Sequence, residues 1–219
     1  MADSQVRSKR RIADHGEVFT GEREVKAMCD LVKQETERIE SRFLEPACGN
    51  GNFLAEVLSR KLAVVKKRYG KSPFDYQRYS VQAVMSVYGV ELLPDNAAEC
   101  RQRLFALWER EYTAAVKEPV EAICRKAVRY ILEKNILCGD ALTMLREDGQ
   151  PIIFAEWSFV DATTVKRRDF RLDALLKPQE VQVSLDMAQW EYDEETRTLI
   201  PAPIREYPPI DYRRVYEYE

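Results

Sequence analysis

Short apolar runs alternate with helix-length amphipathic segments over roughly the first 160 residues, and this order most constrains the fold. The short runs are typical of buried strands, and the longer segments carry apolar residues at helical spacing. Strands joined through helices lie parallel in one sheet, with the helices as crossover connections. We therefore expect an α/β protein with a doubly wound parallel sheet. The four predicted strands contain Phe43-Leu44, Tyr88–Glu91, Ile136–Cys138 and Ile152–Ala155.

Four amphipathic segments are predicted to be helices because their apolar residues fall close to one stripe. Thr20 is a candidate cap for the first, and Pro94 suits the first turn of the third. A further helix around 74–87 would account for the long separation between the first two strands. The four stripes are Val25, Met28, Leu31, Val32 and Ile39; Leu54, Leu58, Leu62 and Val65; Ala97, Cys100, Leu104 and Trp108; and Val120, Ile123, Ala127 and Ile131.

The helical periodicity fades after residue 160, so we expect one domain over 1–160 and a β-rich or extended appendage over 161–219. Apolar residues alternate there with polar ones, as in a strand, and prolines then interrupt the pattern. Tyrosines and arginines crowd the end, which is the composition of a binding surface or of an arm folded over its own domain. The alternating residues are Val181, Val183, Leu185, Trp190 and Tyr192; the last segment contains Arg205, Tyr207, Tyr212, Arg213, Arg214, Tyr216 and Tyr218.

Composition narrows the class of protein. The 219 residues are 45% hydrophobic, which is enough for a sizeable core. No apolar run reaches the roughly 18 residues of a membrane span, and the polar, basic start lacks a signal-peptide core, so a cytoplasmic protein is expected. Five cysteines without a CxxC pair and the single His15 make a metal site unexpected.

Charge gives no overall indication of a nucleic-acid partner. The chain has 34 basic and 37 acidic residues, for a formal net charge of -3. Basic residues nevertheless cluster at 7–11, 66–68 and 166–168. Such clusters are more often solvated faces than phosphate-binding tracks, and that interpretation is preferred here.

The most informative stretch runs from Phe43 to Leu54, with the sequence FLEPACGNGNFL. A predicted strand leads into a turn with two glycines, Gly49 and Gly51, and a helix follows. Glycines let the backbone approach a ligand closely, and a helix N-terminus offers free amide donors. The turn therefore suits a nucleotide-like cofactor, although a GxG turn alone is weak evidence.

This stretch resembles the first signature of adenine-specific DNA methyltransferases that use S-adenosylmethionine, including the modification subunits of restriction systems. Three other segments occur in the order that the resemblance implies. The segment 16–21 is similar to the one preceding the first helix in that family, 88–91 ends a strand in an acid, and 138–142 is similar to the third signature. The resemblance covers about residues 16 to 142, and it implies a Rossmann-like methyltransferase fold whose sheet is possibly abbreviated.

The resemblance also implies roles for individual residues. Phe19 and Thr20 would line the methionine end of the cofactor, Glu91 would accept the ribose hydroxyls, and Asp140 would meet the adenine amino group. From the residues alone, Glu45 could pair with a lysine, Asp140 could be a turn or cap residue, and Phe19 and Phe53 could be core aromatics. The full predicted cofactor set is Phe19, Thr20, Glu45, Ala47, Gly49, Gly51, Asn52, Phe53, Glu91, Leu92, Asp140 and Ala141.

The chain departs from the family at the catalytic tetrad, which is Asn or Asp, two prolines and an aromatic residue. The corresponding place reads Glu156-Trp157-Ser158-Phe159, without prolines. Glu156 with Trp157 or Phe159 could form a divergent acceptor and stacking platform for a flipped base. Alternatively, the chemistry is lost, or this strand is simply part of the core.

The resemblance leads to a main hypothesis and two alternatives. The chain is expected to methylate the adenine amino group of DNA, or to be a modification subunit that does so. One alternative is a catalytically degenerate S-adenosylmethionine-binding subunit that acts in assembly or regulation, and another is methylation of RNA or protein. Because only about 60 residues follow the tetrad position, an abbreviated sheet would expose an edge, which favours a second subunit or a homo-oligomer. Neither a metal nor a redox cofactor is expected.

Overall fold

The computed structural model describes Arg11 and residues 19–176, 190–193 and 198–218, and this part of the chain is a mixed α/β structure. Its helices are α1 (Glu22–Leu31), α2 (Lys33–Thr36), α3 (Asn52–Tyr69), α4 (Pro73–Met85), α5 (Pro94–Val116), α6 (Ala122–Asn135) and α7 (Leu172–Leu176), with a 3-10 helix at Tyr212–Tyr218. Its strands are β1 (Phe43–Glu45), β2 (Val87–Glu91), β3 (Ile136–Cys138), β4 (Ile153–Phe159), β5 (Thr164–Arg171), β6 (Trp190–Asp193), β7 (Thr198–Pro201), β8 (Arg205–Glu206) and β9 (Ile210–Asp211).

The first three strands form a parallel sheet, in the order β1-β2-β3. This order has no reversal among the described strands, so the doubly wound arrangement predicted from the sequence is not seen there. All five residues of the central strand β2 are buried. Each crossover is a pair of helices, α3 with α4 between β1 and β2, and α5 with α6 between β2 and β3. The predicted helix around 74–87 is therefore present as α4, and it explains the long separation between the first two strands.

The helix pairs build the main core. The apolar stripe predicted for α3 and, apart from Ala97, the stripe predicted for α5 are buried in one cluster, together with residues of α4, α6 and the sheet. Trp108 is fully buried, and its indole N–H donates to the Ser80 hydroxyl across the helix layer (3.1 Å). A buried indole that keeps a hydrogen-bond partner avoids the cost of an unsatisfied donor.

The predicted fourth strand does not extend the parallel sheet. β4 pairs antiparallel with β5, and β5 pairs antiparallel with β8 and β9 in a second sheet. A parallel return needs a crossover of a dozen or more residues, usually a helix, whereas residues 139–152 form turns and two isolated bridges. The short turn after β4 instead favours a hairpin.

The first predicted helix is also corrected. Gly21, and not Thr20, is the N-cap of α1, and no side chain caps it. The helical run breaks at Val32, and α2 follows as a single turn. Val25 and Cys29 are buried, but Met28, Leu31 and Val32 are exposed, because only one edge of the predicted stripe faces the core.

The end of the chain folds back onto the helices. The 3-10 helix packs on α6, and Tyr212 is fully buried with its hydroxyl donating to Gln77 Oε1 (2.8 Å). The boundary predicted at residue 160 falls in the turn between β4 and β5, so residues on both sides of it share one core. Trp190 and Tyr192 lie in strand β6, whereas Val181, Val183 and Leu185 lie outside the described residues.

Two findings concern classes of site. Within the described ranges, no helix combines the length and the apolar character that crossing a bilayer requires. The same part of the chain contains no group of three or more histidine, cysteine or acidic side chains that could hold a metal ion.

Candidate functional site

The candidate site lies where the three parallel strands end. β1 ends at Glu45, β2 at Glu91 and β3 at Cys138, and Glu91 is in register with Cys138. Because the strands are parallel, these carboxyl ends lie at one edge of the sheet. The helices α3 and α5 both begin at this edge, and open α/β sheets bind ligands in such a place.

The two glycines of the first turn have left-handed backbone angles, with φ of +53° at Gly49 and +85° at Gly51. A Cβ at Gly51 would lie 2.6 Å from the Cys100 sulfur on α5, so a side chain would strain the backbone and also clash. Gly51 is the N-cap of α3. The turn therefore requires glycine, and it packs α3 tightly against α5.

Glu91 is a buried residue whose hydrogen bonds connect several elements at this edge. Its side chain is buried and accepts hydrogen bonds from the backbone amides of Gly49 (2.8 Å, to Oε2) and Leu93 (3.0 Å, to Oε1). The side-chain amide of Asn96 also donates to Oε1 (3.3 Å). The carboxylate thus links the glycine turn to the start of α5. Asn96 was not predicted from the sequence, although an amide five residues after a strand-ending acid is a usable signal.

Glu45 is the least satisfied group at this edge. Its Oε2 atom is buried and has no hydrogen-bond partner in the part of the chain that the structure describes. Burial, together with the neighbouring charge of Glu91, raises the pKa of the Glu45 carboxyl to about 7. The pairing with a lysine that the sequence left open is not found in the described ranges. A cationic donor from a ligand would satisfy this carboxylate.

Three more predicted residues meet beside the turn. The Asn52 amide donates to the Thr20 carbonyl oxygen (2.9 Å), and Asn52 Oδ1 accepts from the Arg103 guanidinium. The Phe19 ring is buried against Gly49, since a Cβ there would lie 3.2 Å from two of its ring carbons. Phe19 and Thr20 are therefore held next to the glycine turn.

Other predicted cofactor residues have local structural roles. Phe53 packs on the core with its ring centroid 6.4 Å from that of Phe43, which agrees with the core alternative. Asp140 Oδ1 accepts from the backbone amide of Leu142 (2.8 Å), so this carboxylate closes a turn. Ala47 is exposed, Leu92 is 53% exposed, and Ala141 packs on a small cluster around Tyr88 and Val90.

The predicted catalytic residues contact another part of the sheet. The Glu156 carboxylate accepts from Arg42 and from Arg168 Nε (2.8 Å), and these charges lower its pKa although burial alone would raise it. Trp157 is buried, and its indole N–H donates to Asn135 Oδ1 (2.9 Å). Phe159 lies against the Arg78 guanidinium, 4.8 Å from its ring centroid, and against Tyr212.

These contacts identify the end of the sheet at which Glu156 and Trp157 lie. Arg42 immediately precedes β1, and Asn135 immediately precedes β3. Arg42, which binds Glu156, and Asn135, which binds Trp157, thus lie at the amino ends of the parallel strands, whereas the glycine turn follows the carboxyl end of β1. The structure therefore does not bring the predicted catalytic and cofactor-binding residues together.

Comparisons with known proteins add no assignment to this site. The chain matches no family model, no curated protein and no solved structure. The geometry of the carboxyl edge is therefore the structural basis for a functional proposal.

Proposed function

We propose that the chain binds S-adenosylmethionine at the carboxyl edge of a Rossmann-like methyltransferase fold and acts as the cofactor-binding subunit of a DNA adenine-modifying assembly. The observation that carries this proposal is the Glu45 carboxylate, which has a buried oxygen without a hydrogen-bond partner in the described residues. Glu45 lies four residues before Gly49, the first of the two glycines with left-handed backbone angles. A buried carboxylate in that position fits a ligand that carries a cation.

The residues at the edge fit the parts of this cofactor. Glu45 would hold the ammonium group of the methionine, since an ammonium offers three donors and the orphan oxygen needs one. Glu91 Oε2 accepts one internal bond, from Gly49, and keeps capacity for a ribose hydroxyl. When bound, the cofactor supplies a sulfonium methyl group that passes directly to a nucleophilic amine, without metal or redox chemistry.

We assign the positioning of the target amine to another polypeptide. Glu156 is engaged by two arginines, and Trp157 is bonded to Asn135 at the amino end of the strands. Neither group is placed to orient an amine beside the glycine turn. This favours the modification subunit, or an assembly and regulatory subunit, over a methyltransferase that acts alone. DNA is preferred to RNA or protein as the substrate because of the sequence resemblance.

Calorimetric titration with S-adenosylmethionine tests the proposal. Glu45→Gln should weaken binding about 10- to 100-fold, because a charge-assisted hydrogen bond contributes about 1.5–3 kcal/mol and each 1.4 kcal/mol is tenfold. Glu24→Gln is the matched control, since Glu24 is exposed on α1, and it should bind as the wild type does.

A second ligand makes this test specific to the ammonium contact. 5′-Methylthioadenosine contains the nucleoside but lacks the methionine amino group, so its affinity should not change in Glu45→Gln. If wild-type protein gives neither heat nor a thermal shift with S-adenosylmethionine, the proposal is wrong. If Glu45→Gln weakens both ligands equally, the assignment of Glu45 to the ammonium is wrong.

A further inference from the structure

The tip of the α3–α4 pair carries a group of four neighbouring cations. Lys66, Lys67 and Arg68 form the last turn of α3, and Lys71 lies in the connection to α4. All four side chains are exposed, and none of them forms an ion pair with any residue that the structure describes. We call these four residues the basic tip.

Cations on α1 and α2 are arranged differently. On α1 and α2, Arg23 pairs with Glu24, Lys26 with Glu22, and Lys33 with Glu37. Cations in the last turn of a helix also interact favourably with its dipole. That role does not extend to Lys71, which lies beyond the helix end. The basic tip is thus a local concentration of positive charge in a chain whose net charge is -3.

An aromatic stack supports the basic tip. The rings of Tyr69 and Tyr79 are parallel within 5°, with centroids 3.8 Å apart. The Arg78 guanidinium lies 4.6 Å from the Tyr79 centroid and 4.8 Å from that of Phe159. This stack ties the end of α3 to α4 and to the end of β4, so the cations project from a rigid base.

The connection between the helices is also well defined. The Ser72 hydroxyl caps α4 by accepting from the Asp75 amide (3.3 Å), and Pro73 occupies its first turn. Phe74 follows with 47% of its surface exposed. An exposed aromatic ring thus follows Lys71 by three residues, and cations combined with an aromatic ring suit phosphates and the flat faces of bases or sugars.

The basic tip is separate from the glycine turn. Asn52 at the start of α3 and Lys66 in its last turn are fourteen positions apart, which corresponds to about 20 Å along a helix. No group at the carboxyl edge is needed for the basic tip to bind a partner.

We propose that the basic tip binds the phosphate backbone of a nucleic acid. Unpaired, exposed cations that share one rigid surface are the groups that displace counterions from a polyphosphate. The proposal concerns a different surface from the cofactor site and stands without the proposed function. DNA and RNA share the recognised chemistry, and the experiment below distinguishes them.

The experiment measures fluorescence anisotropy of a labelled DNA duplex of about 20 base pairs, and of an RNA duplex of the same sequence, between about 50 and 200 mM KCl. The variant Lys66→Gln/Lys67→Gln/Arg68→Gln should lower affinity at least about tenfold at the lower salt, and flatten the slope of log K against log salt by about 2.7. The duplex bound more tightly by the wild type identifies the nucleic acid.

A charge-matched control separates the basic tip from net charge. Arg23→Gln/Lys26→Gln/Lys33→Gln removes the same number of charges from paired positions on α1 and α2. This control should bind nucleic acid within about twofold of wild type and retain its salt slope. Circular dichroism should show both triple variants folded, because all six side chains are exposed.

Three results would overturn the proposal. The two triple variants could lose affinity equally, which would make the effect one of net charge. The wild type could bind neither duplex at the lowest salt. It could also bind vesicles of phosphatidylserine and phosphatidylcholine through the basic tip, but neither duplex. None of these measurements includes S-adenosylmethionine, so their outcome is independent of the cofactor proposal.

Discussion

Two groups of buried polar side chains, at opposite ends of the parallel sheet, differ in how they are hydrogen-bonded. At the amino end, the Lys61 ammonium donates to the carbonyl oxygens of Arg38, Ile39 and Ser41 and to the Ser86 hydroxyl. The Asn135 amide donates to carbonyl oxygens before and within β2, and its Oδ1 accepts from Trp157. At the carboxyl end, Glu45 Oε2 and Asn50 Oδ1 are buried without hydrogen-bond partners in the described residues.

We infer from this difference that the amino end has a structural role and that the carboxyl end is available to a ligand. The polar groups at the amino end, on Lys61, Asn135 and Trp157, form hydrogen bonds that join loops and strands. Substitutions of these residues should therefore lower the stability of the fold. Glu45 keeps unused capacity, and an unsatisfied buried group in a native protein often marks a functional place. Changes there should affect binding more than folding.

The largest effect is expected from Lys61→Met at the amino end. This substitution leaves three carbonyl oxygens and a hydroxyl without their shared donor in a buried place, and it should lower the free energy of unfolding by about 3 kcal/mol or more. Urea denaturation measures the change.

The control for Lys61 is Lys67→Met on the same helix, where the side chain is exposed and the change should be within about 0.5 kcal/mol. Affinity for S-adenosylmethionine should be unchanged in the folded fraction of Lys61→Met. A stable Lys61→Met variant would remove the distinction between the two ends.

A smaller effect on stability is expected from Trp157→Phe. Phenylalanine keeps an aromatic ring but lacks the pyrrole ring and its N–H, so the hydrogen bond to Asn135 and some packing are lost. This should cost about 1–3 kcal/mol and lower the midpoint of thermal unfolding by several degrees. Cofactor affinity should not change. If Trp157→Phe abolished methylation by an active assembly without lowering stability, Trp157 would be a catalytic residue after all.

The carboxyl end should show an effect of a different kind, a dependence of the free energy of unfolding on pH. The pKa of Glu45 is raised from about 4.5 to about 7, so the folded state binds its proton more tightly than the unfolded state does. Between these values, wild-type stability should therefore fall as pH rises, by at most about 1.4 kcal/mol per unit, relative to Glu45→Gln. Denaturant titrations of the two proteins from pH 4 to 8 measure this difference.

Cofactor affinity should change with pH in the opposite direction. An ammonium ligand needs the ionised Glu45 carboxylate, so wild-type affinity for S-adenosylmethionine should rise through pH 7, while that of Glu45→Gln should stay flat over the same range. Parallel pH profiles for the two proteins would show that Glu45 does not titrate in contact with the ligand.

Much of the carboxyl edge could be predicted because its signals are local. The strand ending in Glu91 and the glycine turn each follow from a few neighbouring residues, and β3 has the predicted bounds. Gly49 and Gly51 have the left-handed backbone that the turn requires. These features depend on apolar runs and backbone freedom, which a single sequence shows directly.

The remaining features depend on contacts between distant residues. The pairing of β4 with β5 was missed because an apolar run does not show which strand it will join. Asn135 and Lys61 gave no signal, since their partners lie twenty or more residues away. The position of Glu156 at the amino end follows from Arg42, 114 residues before it. Local patterns contain no information on such partners.

The helix α3 begins at the glycine turn and ends at the basic tip, so its length fixes the distance between the two candidate binding sites. Its span of about 20 Å equals the rise of about six base pairs of duplex DNA. One residue inserted in its middle would swing the tip by about 100° around the helix axis while lengthening it by only about 1.5 Å. The rotation of the basic tip around the helix axis, more than its distance from the glycine turn, would therefore decide which face of a duplex bound at the tip lies toward that turn.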